Sequence, residues 1–363
     1  MIRIDEIYEH TFWPWLTKNS LNNAMMYHHP FGETSLDSLK VLIDEEIETK
    51  HFFHFFDQEP VHLDLHSDLF AHTSDRMRES KKAIITSEFN SDDIKQLCNQ
   101  YDLTPFYYFF HGWAALDWFR GYDKTYLMPP PDERDIRKTF ISPNRIIGVK
   151  RLHRVILLYW FRKYNLLHNH ISCPEVCPST NINIKDIARW QAGKYPDILE
   201  ILNDIDLPLT FDGEETQSMD SYKLTLQNLA SECLLYNVNE TIWTGKKQFL
   251  SEKIFKPICF RMPFVLSSTA GSLEYLKRYG FKTFNSLWDE SYDQITDNHQ
   301  RLSAVAELLW DLDNLSRHEM LELHKFSRDV VEHNYQHFYS GDFEAILTKE
   351  FTQLLGDFHD FTK

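Results

Sequence analysis

The chain has 363 residues and a formal net charge of −16, with 38 Lys and Arg against 54 Asp and Glu; this works against nucleic acid as a partner, whose backbone is held by basic residues that displace counterions. A local basic cleft for a small anion such as a nucleotide diphosphate remains compatible with that balance. Hydrophobic residues at 42% and charged residues at 25% are ordinary for a globular protein of two to three domains, and the five cysteines (Cys98, Cys173, Cys177, Cys233, Cys259), odd in number and without a repeated pair, read as reduced thiols.

The N-terminus, Met1-Ile-Arg-Ile-Asp-Glu, has no signal-peptide core, and no run approaches the ~20 apolar residues of a membrane span. The expectation is a cytoplasmic protein, in the host cytoplasm if it is viral. Through the first 130 or so residues, short apolar runs alternate with amphipathic stretches, the βα rhythm of a parallel sheet. Strands are predicted at His51–Phe56, Ala83–Thr86 and Phe106–Phe110. A helix follows Ser91, a good N-cap with two aspartates behind it, and another covers Trp113–Phe119. Met128-Pro-Pro-Pro-Asp cannot sustain helix or central strand and is taken as the linker between domains 1–132 and 133–340.

Beyond it the pattern predicts a strand at Lys138–Ser142, a helix over Arg151–Tyr164, a polar stretch from Cys173 to Asn183 and an acidic loop, Asp212–Asp220. A strand at Cys233–Val238 comes next, then a helix at Ser251–Phe260, a strand at Phe264–Ser267 and a helix at Ser272–Tyr279 capped by Gly280. A last short strand is predicted at Phe281–Phe284. From Asn298 the chain reads as helical, with Leu302, Val305, Leu308 and Leu309 as a buried stripe, and 341–363 is a C-terminal helix packing back on the first domain.

The chemistry concentrates around Glu240 and Leu250-Ser-Glu-Lys-Ile-Phe-Lys-Pro. Ser251 is a plausible N-cap at the carboxyl end of a strand, the place where open α/β sheets bind ligands, and a helix N-terminus suits a diphosphate. Lys253 adds a mobile positive charge and Glu252 an acceptor for ribose hydroxyls. The bland alternative is a capped surface helix with an ordinary Glu-Lys pair. Cys173-Pro-Glu-Val-Cys177, with His168 and His170 upstream, holds metal-ligand types without zinc-finger spacing. Asp289-Glu-Ser-Tyr-Asp293 reads as a loop and helix start rather than a metal site, and Asp311-Leu-Asp313 as helix surface. No metal is expected.

The series Glu240, loop, Ser251-Glu-Lys, helix, Met262-Pro-Phe-Val-Leu-Ser-Ser, Gly271-Ser resembles the donor-binding half of the α1,3-fucosyltransferases, which are GT-B glycosyltransferases. The resemblance implies an α/β fold with two Rossmann-like domains facing a cleft, and a nucleoside-diphosphate sugar as donor substrate, with GDP as the candidate nucleotide and no other cofactor. It also implies donor binding by Glu240 and Ser251, ribose contact by Glu252 and diphosphate contact by Lys253. Phe140-Ile-Ser-Pro-Asn-Arg followed by Arg151-Leu-His-Arg154 resembles the family's strand, turn and helix with a diphosphate-binding arginine, a role carried first to Arg154 and second to Arg151. Phe55-Phe-Asp-Gln-Glu-Pro resembles its acceptor-side segment and makes Glu59, or alternatively Asp57, the general base toward a glycan or other hydroxyl acceptor. The sequence departs from the family in Ser251 for Thr, in Leu250 for an aromatic residue and in a longer loop after Glu240. Gly280-Phe-Lys-Thr-Phe with Asp289-Glu-Ser-Tyr-Asp293 resembles phage and marine microbial relatives of the family. Two other readings stand beside this one: a non-catalytic GT-B scaffold used in virion assembly or protein contacts, and a glycosyltransferase acting on modified DNA, which would need a basic groove.

Overall fold

A computed structural model describes residues 7, 12–18, 24–28, 40, 50–120, 134–211 and 223–363. Met128-Pro-Pro-Pro-Asp and Asp212–Asp220 lie outside the described residues. The protein is α/β, with two Rossmann-like units, each built on a four-stranded parallel sheet. Unit 1 comprises Met1–Asp117, Lys246–Phe249 and Glu344–Lys363; unit 2 comprises Trp118–Gly245 and Leu250–Phe343. Among the described residues no helix is long and apolar enough to cross a membrane.

In unit 1 the sheet runs β1 (Ala24–His28), β2 (His51–Phe56), β3 (Lys81–Thr86), β4 (Thr104–Tyr107), in that spatial order. β2 reads His-Phe-Phe-His-Phe-Phe and is buried from its second residue onward, the unbroken apolar run of a parallel strand covered on both faces. On one face Phe52, Phe56 and Ile84 pack with Leu69 and Phe70 of helix α2 (Leu63–Arg76) and Ile94 and Leu97 of α3 (Asp92–Tyr101). On the other, Phe358 meets Phe53 and Phe106 with ring centroids 4.5 and 5.1 Å apart, and Phe12 meets Phe55 and Phe351. Phe351 and Phe358 belong to the C-terminal helix, Asp342–Thr362. The Ser91 hydroxyl caps α3 by accepting from the Ile94 amide. The strand predicted at Phe106–Phe110 ends at Tyr107, and Phe110 opens the helix α4 (Phe110–Phe119).

Lys246–Phe249 completes unit 1. Gln248 and Phe89 exchange backbone hydrogen bonds of 2.8 and 2.9 Å, and the buried Lys247 ammonium donates to the Val61 carbonyl (2.6 Å), Asp93 (2.7 Å) and Glu88 (3.4 Å). The longer loop after Glu240 therefore has a structural use within unit 1.

In unit 2 the spatial order is β6 (His170–Ile171), β5 (Lys138–Ser142), β7 (Cys233–Asn239), β8 (Phe264–Ser267). The sheet thus starts in its middle and turns back, so β5 and β7 flank a switch point. Helix α5 (Leu152–Lys163) buries Val155, Ile156, Leu158 and Phe161, the last against Phe140 at 5.2 Å. The predicted strand at Phe281–Phe284 is irregular chain instead. Its backbone groups are satisfied by side chains: Asn334 bonds both the amide and the carbonyl of Lys282, and Glu290 accepts from the Phe284 amide. The predicted helix at Ser251–Phe260 is a 3-10 turn, Glu252–Ile254, followed by a short α-helix, Phe255–Cys259.

Candidate functional site

The carboxyl ends of β5 and β7 carry a buried polar network. Ser142 Oγ accepts from the amide nitrogens of Asn237 and Asn239, both at 3.0 Å, Asn239 also donates to Asn144 (2.9 Å), and Ser267 on β8 donates to Asn237 (3.1 Å). All five side chains are buried. Because each polar atom in such a place must find a partner, the network holds three strand ends in one arrangement. An Asn-x-Asn inside an otherwise apolar strand is the sequence signal for it.

Just past β7, the Glu240 carboxylate is fully buried and accepts from the Ser251 amide (3.2 Å) and the Ser251 hydroxyl (2.6 Å). Burial raises its pKa, against the charge of Lys253 and the hydrogen bonds from Ser251. Ser251 Oγ in turn receives the Lys253 amide and the Lys253 ammonium, the latter at 3.1 Å. Lys253 also pairs with Glu252 at 2.9 Å and reaches Thr241 at 3.4 Å. Glu240, Ser251, Glu252 and Lys253 therefore form one connected group at the end of β7, with the Lys253 side chain still 31% exposed. The turn is too short for a helix dipole to contribute much there, so the positive charge offered is that of Lys253.

The two arginines differ. Arg154 is buried, and its guanidinium donates to the carbonyls of Ile146 (2.7 Å) and Asn239 (3.0 Å). Burial, with Arg151 nearby, brings its pKa down to about 9. It ties the loop after β5 to the end of β7. Arg151 is half-buried in the turn Val149–Arg151 that opens α5, and among the described residues its side chain makes no hydrogen bond or ion pair. Beside them His153 Nε2 donates to the Glu240 carbonyl (3.0 Å), and its ring stacks on Trp243 at 5.5 Å. Burial and the adjacent Arg154 hold it neutral, well below the usual histidine range. Arg301, from the helix α11 (Asn298–Asp313), bonds the carbonyls of Ser268, Ile295 and Trp243; an arginine in a periodic helix reads as surface, and sequence reasoning missed it.

In unit 1, Asp57 directly follows β2, is buried, and accepts from the Tyr108 hydroxyl at 2.5 Å. Glu59 is half-buried in the turn that follows. His54 is packed among Phe52, Phe56 and Phe70 with neither ring nitrogen partnered, and His111 Nε2 meets the Gln58 carbonyl at 2.9 Å.

The cysteine and acidic clusters have structural uses. His168 pairs with Asp313 at 3.2 Å and His170 with Glu232 at 3.7 Å, away from a shared centre with Cys173 and Cys177, and no metal-holding group of His, Cys, Asp and Glu occurs among the described residues. Burial raises the Cys177 thiol, but hydrogen bonds from Ser179 and Thr180 outweigh it and bring the pKa down to about 7. Asp313 is not the surface residue expected: it accepts from Thr139 (2.7 Å) and Asn169 (2.8 Å) and anchors α11 to β5. Asp293 accepts from the Leu273 amide behind Gly271-Ser, and burial raises it to about 6.

No protein-family model matches the chain, and no curated protein does. Among solved structures the chain is similar to a UDP-forming α,α-trehalose-phosphate synthase from Burkholderia xenovorans, at 14% identity over 93% of this chain and 78% of that one, with a TM-score of 0.43. An α,α-trehalose 6-phosphate synthase from Burkholderia multivorans matches at 11% identity over 94% and 75%, with a TM-score of 0.38. Similarity at that level leaves the fold to rest on the strands themselves.

Proposed function

We propose that the chain is a glycosyltransferase that binds a nucleoside-diphosphate sugar at the switch point of the second sheet and transfers the sugar to a hydroxyl acceptor. The observation that carries this reading is the strand order β6-β5-β7-β8, with Glu240, Ser251, Glu252 and Lys253 joined beyond the end of β7 and Arg151 in the turn that opens α5 after β5. Ligands of open α/β sheets sit at such a point. Lys253 and Arg151 supply charge to the diphosphate, Glu252 accepts from ribose hydroxyls, and Glu240 and Arg154 hold the surrounding chain in place. As the sugar leaves, negative charge accumulates on the diphosphate, and fixed cations there lower the barrier without a metal ion.

Asp57 is the better placed of the two candidate bases. The Tyr108 hydroxyl donates to its carboxyl group and fixes it at the end of β2, where a carboxylate can take the proton of an acceptor hydroxyl. GDP and a hexosyl or fucosyl group are the proposed nucleotide and sugar class, and the proposed place of action is the cytoplasm. Calorimetry with GDP, UDP, ADP, CDP and TDP tests the donor site. One nucleotide is expected to bind, and Lys253→Ala and Arg151→Ala are each expected to weaken it tenfold or more, about 1.4 kcal/mol. If the folded protein binds none of the five, the proposal is wrong.

A further inference from the structure

Unit 2 carries an aromatic feature at the far end of α5 from the Arg151 turn. Trp160 of α5, Tyr164 at its C-cap and Trp310 of α11 lie in one stack. Trp160 and Tyr164 have centroids 5.5 Å apart at an interplanar angle of 17°, and Tyr164 and Trp310 are 5.7 Å apart at 29°. The inner end is closed by Lys163, whose ammonium sits 5.5 Å from the Trp160 ring centre and is neutralised by Asp197 at 3.1 Å. The outer end is open: Trp310 is 42% exposed, and Tyr164 is its one ring contact among the described residues. Three rings held nearly parallel by two helices form a rigid platform with little side-chain entropy left to lose on binding.

The surroundings say what the platform fits. One turn before Trp310, the exposed Glu307 accepts from the Ser303 hydroxyl at 3.1 Å. One turn after it lies the exposed Asn314, and Asp311 is exposed beside it. Carboxylate and amide groups beside an indole face match a pyranose ring, whose axial C–H groups form an apolar, weakly positive face for the π-system and whose hydroxyls bond at its edge. The acidic rim disfavours phosphates and nucleic acid. The area also disfavours a protein: one or two rings cover roughly 150–250 Å² each, whereas a stable protein interface takes about 800 Å² from each partner.

We infer that the Trp160–Tyr164–Trp310 stack is a binding surface for neutral oligosaccharide, separate from the donor residues. Its affinity would be modest, with Kd about 0.1–1 mM. The test is calorimetry and tryptophan fluorescence with maltohexaose, cellohexaose, chitohexaose and mannohexaose. At least one is expected to bind, with Trp310→Ala and Trp310→Leu each weakening it at least tenfold. Trp190→Ala, which removes a 51% exposed tryptophan elsewhere in the unit, is expected to bind as the parent does, and so is Lys253→Ala. That last variant separates this surface from the donor site, so either reading can fail alone. The inference is overturned if the folded protein binds none of the four, or if Trp310→Leu binds them undiminished. It is also overturned if sedimentation shows that Trp310→Ala only dissolves a self-association.

Discussion

His54 shows at the residue scale how burial sets a pH dependence. It lies in the middle of β2, fully buried among phenylalanines, with both ring nitrogens unpartnered, and desolvation brings its pKa down to about 3. The unfolded chain takes up a proton near pH 6.5 and the folded chain does not until about pH 3. Its contribution to stability is therefore whole above pH 6.5 and is lost progressively as pH falls from there toward 3. At pH 5 the loss is about 2 kcal/mol from this residue alone. Denaturant unfolding at pH 7.5 and pH 5 is expected to show the drop, and His54→Phe is expected to reduce it. Glu240 belongs to the same scale. Glu240→Ala leaves the buried Ser251 amide and hydroxyl without their acceptor, which is expected to cost about 1–3 kcal/mol in stability and to weaken nucleotide binding as well. Asp57→Asn is expected to lower turnover by about 10²–10⁴ with nucleotide affinity unchanged; the same pattern in Glu59→Gln instead would transfer the base to Glu59.

At the scale of elements, Gly280 ends the helix Ser272–Arg278 with φ +87°, and a Cβ there would lie 2.6 Å from His337 Nε2. Gly280→Ala combines an unfavourable backbone with a clash against a ring that itself bonds the Tyr279 carbonyl, and a loss of about 1–3 kcal/mol is expected in denaturant unfolding. That cap is legible in the sequence. So are β2, β5 and β8, whose apolar runs are bounded by charged or polar residues and match the structure to the residue. β6 is not legible, because two residues carry no period. Phe281–Phe284 misleads because alternation and burial are real there, yet its hydrogen bonds go to Asn334 and Glu290, which no local pattern announces. The site shows the same division. Ser251-Glu-Lys is visible as a motif and its members do meet. The commitment of Arg154 to the Asn239 carbonyl, of Asp313 to Thr139 and Asn169, and of Ser142 to two asparagines depends on residues 85 to 174 positions away.

At the scale of the molecule, the two units differ in how the chain builds them. Unit 1 needs Lys246–Phe249, and its Lys247 makes a buried ion pair with Glu88. Breaking such a pair from one side leaves an uncompensated charge, so Lys247→Met is expected to destabilise unit 1 by about 3–5 kcal/mol, read from the exchange of β3 amides with deuterium. Unit 1 also needs the C-terminal helix. A chain ending at Phe343 would uncover Phe12, Phe53 and Phe106, and is expected to lose amide protection throughout β2–β4 while keeping it in β5–β8.

That division also sets a timetable. A ribosome adding about 5–20 residues per second reaches Phe358 some 12–50 s after it has passed the last strand of the first sheet. Through that interval the six-residue run of β2 waits for Phe358. Of the two units, the one whose strands are made first is therefore the one completed second, and a holding chaperone would have the most to do over β1–β4.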